Sequence, residues 1–262
     1  MIGTVLAAWT ARASRAAFAV SIAVAASTAP AAGTADRNGS ESRSASVPPL
    51  HLSIRYASFS IGRDGVERET RYANRMLRTA DTVWIEREWP AALRESAEHG
   101  HSHANEAAAG HGTNGAGHRH AHDETLNAPL LLQRDADGRV DVQSVLRDRR
   151  RVIHVDLAHH GNVGYGGSWP AAWSLIDPRA LDGMTRIGTA RNGVQRYESR
   201  EAERTTRIDW DVAGRYARQI SVRDAHGTSW RTMTATPRPM PAELPWQALG
   251  AYSQGDYSDL LD

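Results

Sequence analysis

The chain of 262 residues contains no cysteine and no lysine. Without cysteine it forms no disulfide, carries no lipid on a cysteine and has no thiol nucleophile. Without lysine it lacks the Gly-Lys pattern of a phosphate-binding loop. We therefore expect the glycines of residues 161–167 to serve the conformation of the chain rather than to bind phosphate. The net charge of +1 gives no indication of nucleic-acid binding, and we expect no nucleic-acid partner.

Long apolar runs are also scarce, and the one of note lies near the start of the chain. Residues 1–35 are typical of an export signal peptide, because Arg12 and Arg15 precede the apolar run 16–26 and a small-x-small stretch follows at 29–31. The run is short for a bilayer span. We therefore expect a periplasmic or secreted protein with no stable membrane span after cleavage; an uncleaved anchor is the alternative.

Composition divides the remainder of the chain. Residues 36–49 are rich in Ser, Ala and charge and end in two prolines, which predicts a disordered linker. The pattern of apolar and turn residues over 50–235 predicts one β domain, with a disordered insertion at 94–125. Residues 236–262 begin with several prolines and predict a C-terminal tail with one short helix.

The insertion contains a histidine-rich segment, residues 99–122. This segment has seven histidines, five glycines and six alanines, and no Val, Ile, Leu or aromatic residue, so we expect it to be disordered. The histidines are His99, His101, His103, His111, His118, His120 and His122.

Alternation of histidine with small residues places each triplet of imidazoles on one side of an extended chain. Neutral imidazole binds zinc, copper and nickel. The segment therefore predicts capture of transition-metal ions. A low-complexity spacer with no physiological metal remains the alternative, because this spacing fixes no ligand set.

A second, fixed metal site is predicted downstream. His154 and Asp156 are two residues apart and would share one face of a strand over 152–157, and His159 and His160 follow at its end. The alternative is an outward polar face followed by an exposed turn.

Short apolar runs separated by glycine turns predict a mainly β fold. We expect an antiparallel sheet that curves into an open half-barrel or sandwich, with a short helix near 169–176. The last third predicts four strands, at 193–199, 205–211, 216–223 and 228–234, each with one wet and one buried face. Prolines from Pro237 onward are expected to break the sheet.

Three tryptophans are candidates for an apolar site. Trp169 and Trp173 are four residues apart and would share one helix face, and Trp210 lies in a predicted strand. Packing in the core is one interpretation, and lining a lipid cavity is the other.

The stretch 207–220, with Trp210 and Asp211 before a turn at Gly214, resembles a hairpin of the exported Lol-type lipoprotein carriers. The resemblance covers residues 50–235 in outline and implies an open β-barrel that holds acyl chains. The histidine-rich segment resembles, in composition, the loops of periplasmic zinc-binding proteins.

Catalysis is poorly supported, because no Gly-x-Ser-x-Gly or His-Glu-x-x-His motif is present. We therefore expect an exported, non-enzymatic binding protein that captures transition-metal ions. The alternative is a carrier of a lipid or another apolar ligand, with an envelope transport protein as a further partner.

Overall fold

The computed structural model describes residues 47–88 and 128–260, so the histidine-rich segment lies outside the described residues. The described strands are β1 Leu50–Ile61, β2 Glu67–Arg78, β3 Thr82–Glu88, β4 Leu130–Arg134, β5 Val140–Leu146, β6 Arg151–His154, β7 Thr185–Arg191, β8 Val194–Glu201, β9 Arg204–Asp211, β10 Tyr216–Asp224, β11 Ser229–Arg238 and β12 Ser253–Asp256. An α-helix, α1 (Trp169–Ser174), and four 3₁₀-helices, Leu157–Val163, Pro178–Leu181, Pro245–Ala251 and Tyr257–Leu260, accompany them.

The twelve strands form a single sheet in the order β12-β6-β5-β4-β3-β2-β1-β11-β10-β9-β8-β7. All neighbours are antiparallel except β12 and β6, which are parallel. Strands β7 and β12 are the two edges and do not pair with each other, so the sheet is not closed. This confirms the mainly β, open half-barrel fold that the sequence predicts.

The sheet is strongly curved. Arg78 at the end of β2 donates a hydrogen bond to the carbonyl oxygen of Gly214, which lies in the turn between β9 and β10. In a flat sheet β2 and β10 would be about 14 Å apart, since three spacings between neighbouring strands separate them. One side chain bridges this gap only because the sheet bends around its concave face.

The concave face carries the main core. Every second residue of the long strands points to this face, and the side chains are buried there because a covering layer excludes water. Representative members are Leu52, Ile54, Met76, Ile208, Ile220 and Met233. The residues between β6 and β7, 155–184, form the covering layer, and we call them the covering segment.

The opposite face is buried only over part of the sheet. Leu77, Trp84, Leu131, Val145 and Val152 form a second cluster there. The 3₁₀-helix Pro245–Ala251 covers that cluster with Leu249, and Trp246 and Tyr252 pack beside it. The C-terminal stretch therefore completes the sheet on this side and adds β12 to its edge.

On β8 and β9, the face opposite the main core is exposed to solvent, as the alternation of apolar and polar residues predicts. Arg196 pairs with Asp209 at 2.7 Å, and Glu198 pairs with Arg200 and Arg207 at 2.6 Å each. Such exposed pairs contribute little to stability. The buried and wet faces of the last third are confirmed.

The structure corrects three details. Pro237 lies inside β11, opposite Leu52, because β10 pairs with β11 only as far as Thr234 and leaves that side of the strand without a neighbour. The strand predicted over 152–157 ends at His154, since Asp156 caps the next 3₁₀-helix. Strand β7 was not predicted; its seven residues are all exposed and carry no apolar alternation.

Candidate functional site

The covering segment contains short helices and no strand. Within its thirty residues, α1 has six residues and is flanked by two short 3₁₀-helices. The helix begins after Ser168, whose hydroxyl accepts a hydrogen bond from the backbone N–H of Ala171, and Pro170 suits its first turn. It ends at Leu175, where φ is +66°.

The predicted tryptophans meet on the concave face. Trp169 and Trp210 are buried in the main core, and Trp173 is partly buried against it. Core packing is therefore the arrangement in this structure, and the three rings fill the concave face rather than line an open cavity. Their role in a ligand site stays a prediction.

Arg78 is the main polar group on the concave face, and its side chain is 1% exposed. Its guanidinium carbon lies 3.5 Å from the centre of the Trp173 ring, and its two terminal nitrogens donate hydrogen bonds to the carbonyl oxygens of Trp173 and Gly214. The Trp173 indole N–H donates to the Thr79 carbonyl at 2.7 Å. These contacts fix the covering segment to the end of β2.

The charge of Arg78 is poorly compensated. Burial lowers the pKa of Arg78 to about 10, and the nearby side chains of Tyr216 and Asp211 only partly oppose this shift. Among residues 47–88 and 128–260, Arg78 forms no ion pair, and the nearby Asp211 pairs instead with Arg218 at 2.9 Å. The Arg78 Nε–H is buried without a hydrogen-bond partner, and the buried Tyr216 hydroxyl has the Arg218 side chain as its neighbour.

The turn between β9 and β10 shapes this end of the site. Asp211 accepts a hydrogen bond from the Gly214 N–H at 2.6 Å, and Arg215 has a φ of +53°. A Cβ on Gly214 would lie 2.6 Å from the Tyr216 ring, so glycine is required for close approach. The hairpin predicted at this place is present.

The other end of the concave face has an aromatic cluster. Tyr56 and Tyr72 stack with ring centres 4.5 Å apart, and Arg87 lies 4.0 Å from the Tyr72 ring. Burial raises the pKa of both tyrosines, with Arg87 opposing the shift. The concave apolar face therefore lies between two arginine–aromatic groups.

A separate cleft of about 440 Å³ lies at the sheet edge and is lined by His154, Asp156, His159, Asp256 and Tyr257, among others. His154 lies 3.3 Å from an Asp141 oxygen and 3.1 Å from the Gln254 amide oxygen. The cleft collects three of the four residues that the sequence predicts for a fixed metal site.

Within this cleft, His159 and Asp156 form a local pair. His159 Nδ1 lies 2.8 Å from both carboxylate oxygens of Asp156, and its ring stacks on Tyr257 with centres 4.2 Å apart. The hydrogen bond from His159 is the main reason that the pKa of Asp156 is lowered. Asp156 also accepts the backbone N–H of Ala158, which begins the 3₁₀-helix.

His160 points elsewhere. Its Nε2 lies 3.2 Å from the Val155 carbonyl and its ring contacts Tyr165 edge-on, so the two adjacent histidines do not converge. In residues 47–88 and 128–260, no three His, Asp or Glu side chains are grouped to hold a metal ion. A fixed site at His154, Asp156, His159 and His160 stays a prediction that this geometry does not assemble.

The metal ligands predicted in residues 99–122 lie outside the described residues. The sequence reasoning missed Arg78, although a signal was present: Met76 and Arg78 are two apart on a strand, so they point to the same face. An arginine on an apolar face next to a turn indicates a buried cation that requires partners.

No family model matches the chain, and no curated protein matches it. Among solved structures, PNGF-II aligns with 10% identity and a TM-score of 0.31 over 80% of this chain, which spans only 33% of the PNGF-II chain.

Two further structures are similar at the same level. A LolA superfamily protein from Nitrosomonas europaea has 10% identity and a TM-score of 0.30, over 74% of this chain and 88% of its own. A domain described as an outer membrane lipoprotein-sorting protein domain from Vibrio parahaemolyticus has 7% identity and a TM-score of 0.31, over 76% of this chain and 89% of its own. The weak Lol-type resemblance predicted from the sequence is thus found again, at scores too low to carry an argument about ligand or activity.

No helix in the described parts of the chain is long and apolar enough to cross a membrane.

Proposed function

We propose that this protein is a non-enzymatic carrier that binds a lipid or another apolar chain on the concave face of its sheet. The observation that carries the proposal is the contrast between the two layers of the main core. One layer is a hydrogen-bonded sheet of long strands, and the other is the covering segment, with a single six-residue α-helix.

The covering segment opens more easily than the sheet. A segment without a strand ladder opens with a smaller free energy than the strands it covers. Its hold on the sheet consists of apolar side chains such as Val163, Trp169 and Leu181, together with the polar contacts at Arg78 and Thr79. An apolar chain that takes the place of these side chains restores the buried area that opening exposes.

The ligand space is therefore created by displacement. The apolar floor crosses five neighbouring strands, β2, β1, β11, β10 and β9. Its members on these strands are, in that order, Met76, Ile54, Met233, Ile220 and Ile208. The floor is bounded at one end by Arg78 and Trp173 and at the other by Tyr56 and Tyr72. An extended acyl chain fits such a floor because dispersion and hydrophobic contacts require no fixed partner geometry.

Titration with the neutral apolar probe 1-N-phenylnaphthylamine tests this function. We expect saturable binding of one probe per chain, displaced by hexadecanol.

Trp169→Ala weakens the packing of the covering segment without altering the floor. The fraction of molecules with an open covering segment then rises, and the probe should bind about threefold or more tightly. Trp246→Ala, on the opposite face, is the matched control and should leave affinity unchanged. Non-saturable binding, or equal effects of both variants, would remove the proposal.

Transition-metal capture by the histidine-rich segment, with zinc, copper or nickel as the ion, is retained as a second proposal. Its support is composition: seven histidines stand in 24 residues, and the strands on either side pair directly, Ile85 with Leu130. The segment would then be an accessory to the carrier domain. Export to the periplasm or outside the cell is likewise a proposal, and its support is the signal-like N-terminal sequence.

A further inference from the structure

Arg78 contributes more than attachment of the covering segment. Its guanidinium is almost fully buried, yet it donates only to neutral backbone carbonyl oxygens. A buried cation without an anion is costly. Its position at the end of the apolar floor therefore points to a partner that this closed arrangement does not include.

We propose that the apolar chain bound on the concave face carries an anionic head group, a carboxylate or a phosphate, and that Arg78 and Tyr216 bind that head group. This inference rests on the proposed carrier function and specifies its ligand class.

The first support is the supply of donors. The Arg78 Nε–H is buried without a hydrogen-bond partner, and the guanidinium carbon lies 5.8 Å from the Tyr216 ring centre. The buried Tyr216 hydroxyl interacts with Arg218, which can only donate, so the hydroxyl hydrogen has no acceptor there. When the covering segment leaves, the Trp173 carbonyl leaves with it. Two nitrogens of the guanidinium then lack acceptors. Two oxygens of a carboxylate or phosphate head group would accept charge-assisted hydrogen bonds from them.

The second support is the local charge. Arg215 and Arg218 lie close to Arg78 and Tyr216, and the main carboxylate among them is Asp211. Asp211 is engaged by Arg218 and by the Gly214 N–H. Three guanidinium groups against one occupied carboxylate favour an anion and disfavour a cationic head group.

The third support is geometry. Arg78 is the last residue of β2, and the apolar floor extends from Met76 on the same strand toward Ile54 and Ile220. An anionic head at Arg78 therefore places its chain along the floor. Neutral ligands bind the same floor but leave the Nε–H and hydroxyl donors unpartnered, which costs them affinity relative to anionic ones.

The test compares three sixteen-carbon ligands below their micelle concentrations by isothermal titration calorimetry: palmitate, hexadecyl phosphate and hexadecanol. We expect one of the two anions, or both, to bind the native protein about tenfold or more tightly than hexadecanol. Palmitate and hexadecyl phosphate distinguish a carboxylate from a phosphate head. Equal affinity for all three ligands overturns the inference and leaves the carrier function intact, whereas absence of binding by any of them overturns the carrier function itself.

Variants locate the head group. Arg78→Gln should abolish the preference for the anion without weakening hexadecanol binding, and Arg78→Lys should retain part of it. Tyr216→Phe removes a hydroxyl whose neighbour Arg218 keeps its ion pair with Asp211, so the fold should persist while the preference falls about threefold. Arg134→Gln is the matched control, because Arg134 is exposed and lies 5.0 Å from the Trp169 ring. A preference that survives in both Arg78→Gln and Tyr216→Phe contradicts the assignment. If Arg78→Gln does not fold, Tyr216→Phe and the native ligand series still decide it.

Discussion

The guanidinium of Arg78 stacks on the indole of Trp173 at 3.5 Å and donates to the carbonyl of that same residue. This pair joins the sheet to the covering segment, since Arg78 belongs to β2 and Trp173 to α1. Planar stacking and hydrogen bonding together require arginine rather than lysine. The contact should therefore stabilise the fold and also limit the access of a ligand to the concave face.

Arg78→Met should destabilise the fold by about 2 kcal/mol. The substitution removes the ring stacking and leaves the Trp173 and Gly214 carbonyls without their donor, while the loss of a buried charge offsets part of the cost. Urea unfolding measures the change. Arg134→Met makes the same chemical change at an exposed position above Trp169 and should cost less than about 0.5 kcal/mol. Equal costs for the two variants would show that Arg78 does not hold the covering segment.

Gly214→Ala should destabilise the β9–β10 hairpin by about 1 to 3 kcal/mol. The added Cβ would lie 2.6 Å from the Tyr216 ring and 3.0 Å from an Asp211 oxygen, both of which are fixed by packing. Gly161→Ala is the control, because nothing lies within 4 Å of a Cβ there. Thermal unfolding of both variants provides the comparison, and a stable Gly214→Ala protein would refute the described turn.

Asp224 should titrate at about pH 2. Its carboxylate accepts the backbone N–H of Thr228 at 2.9 Å and the Thr228 hydroxyl at 2.7 Å, which lowers its pKa from 3.8 to about 2. Because the folded pKa lies below the unfolded value, this stabilisation is present above pH 3.8 and is lost as the pH falls toward 2. NMR titration of the carboxyl carbon measures it. Thr228→Val should move the pKa upward, and Thr70→Val, at an exposed position on β2, should not.

The strand-level fold could be predicted from the sequence because alternation and glycine turns are local signals. The strands predicted at 193–199, 205–211, 216–223 and 228–234 correspond to β8 to β11. The helix near Trp169 was also predicted, since proline and a serine cap mark its start. Strand β7 was missed because all its residues are exposed, so no apolar period exists.

The site was harder to predict because it depends on curvature. Nothing local to Arg78 indicates that Gly214, 136 positions later in the chain, supplies its acceptor. Likewise, the predicted fixed metal site assumed one continuous strand through Asp156, whereas that carboxylate caps a 3₁₀-helix and pairs with His159 instead. Contacts between distant residues require the register of the whole sheet, which no single-residue pattern contains.

Replacement of the seven histidines in residues 99–122 by glutamine should remove most of the zinc stoichiometry measured by titration calorimetry. Imidazole binds a metal only when neutral, so binding to the native chain should weaken from about pH 7 to pH 5. The thermal unfolding midpoint should not change, because β3 and β4 pair at Ile85 and Leu130, outside the replaced segment. A stoichiometry that is unchanged by the replacement would contradict the metal proposal. The double variant His154→Ala, His159→Ala serves as the comparison for binding in the cleft.

An apolar ligand on the concave face would lie beside the tryptophans there, so their indole N–H groups report on its binding directly. A ¹⁵N NMR titration with 1-N-phenylnaphthylamine distinguishes the two faces of the sheet. Trp173 donates to the Thr79 carbonyl on the concave face, and Trp84 donates to Glu86 beside the second cluster. We predict saturable shifts of the Trp169, Trp173 and Trp210 indoles, with Trp84 and Trp246 unchanged. Shifts confined to Trp84 and Trp246, or no shift at saturating probe, would show that no apolar ligand binds on the concave face.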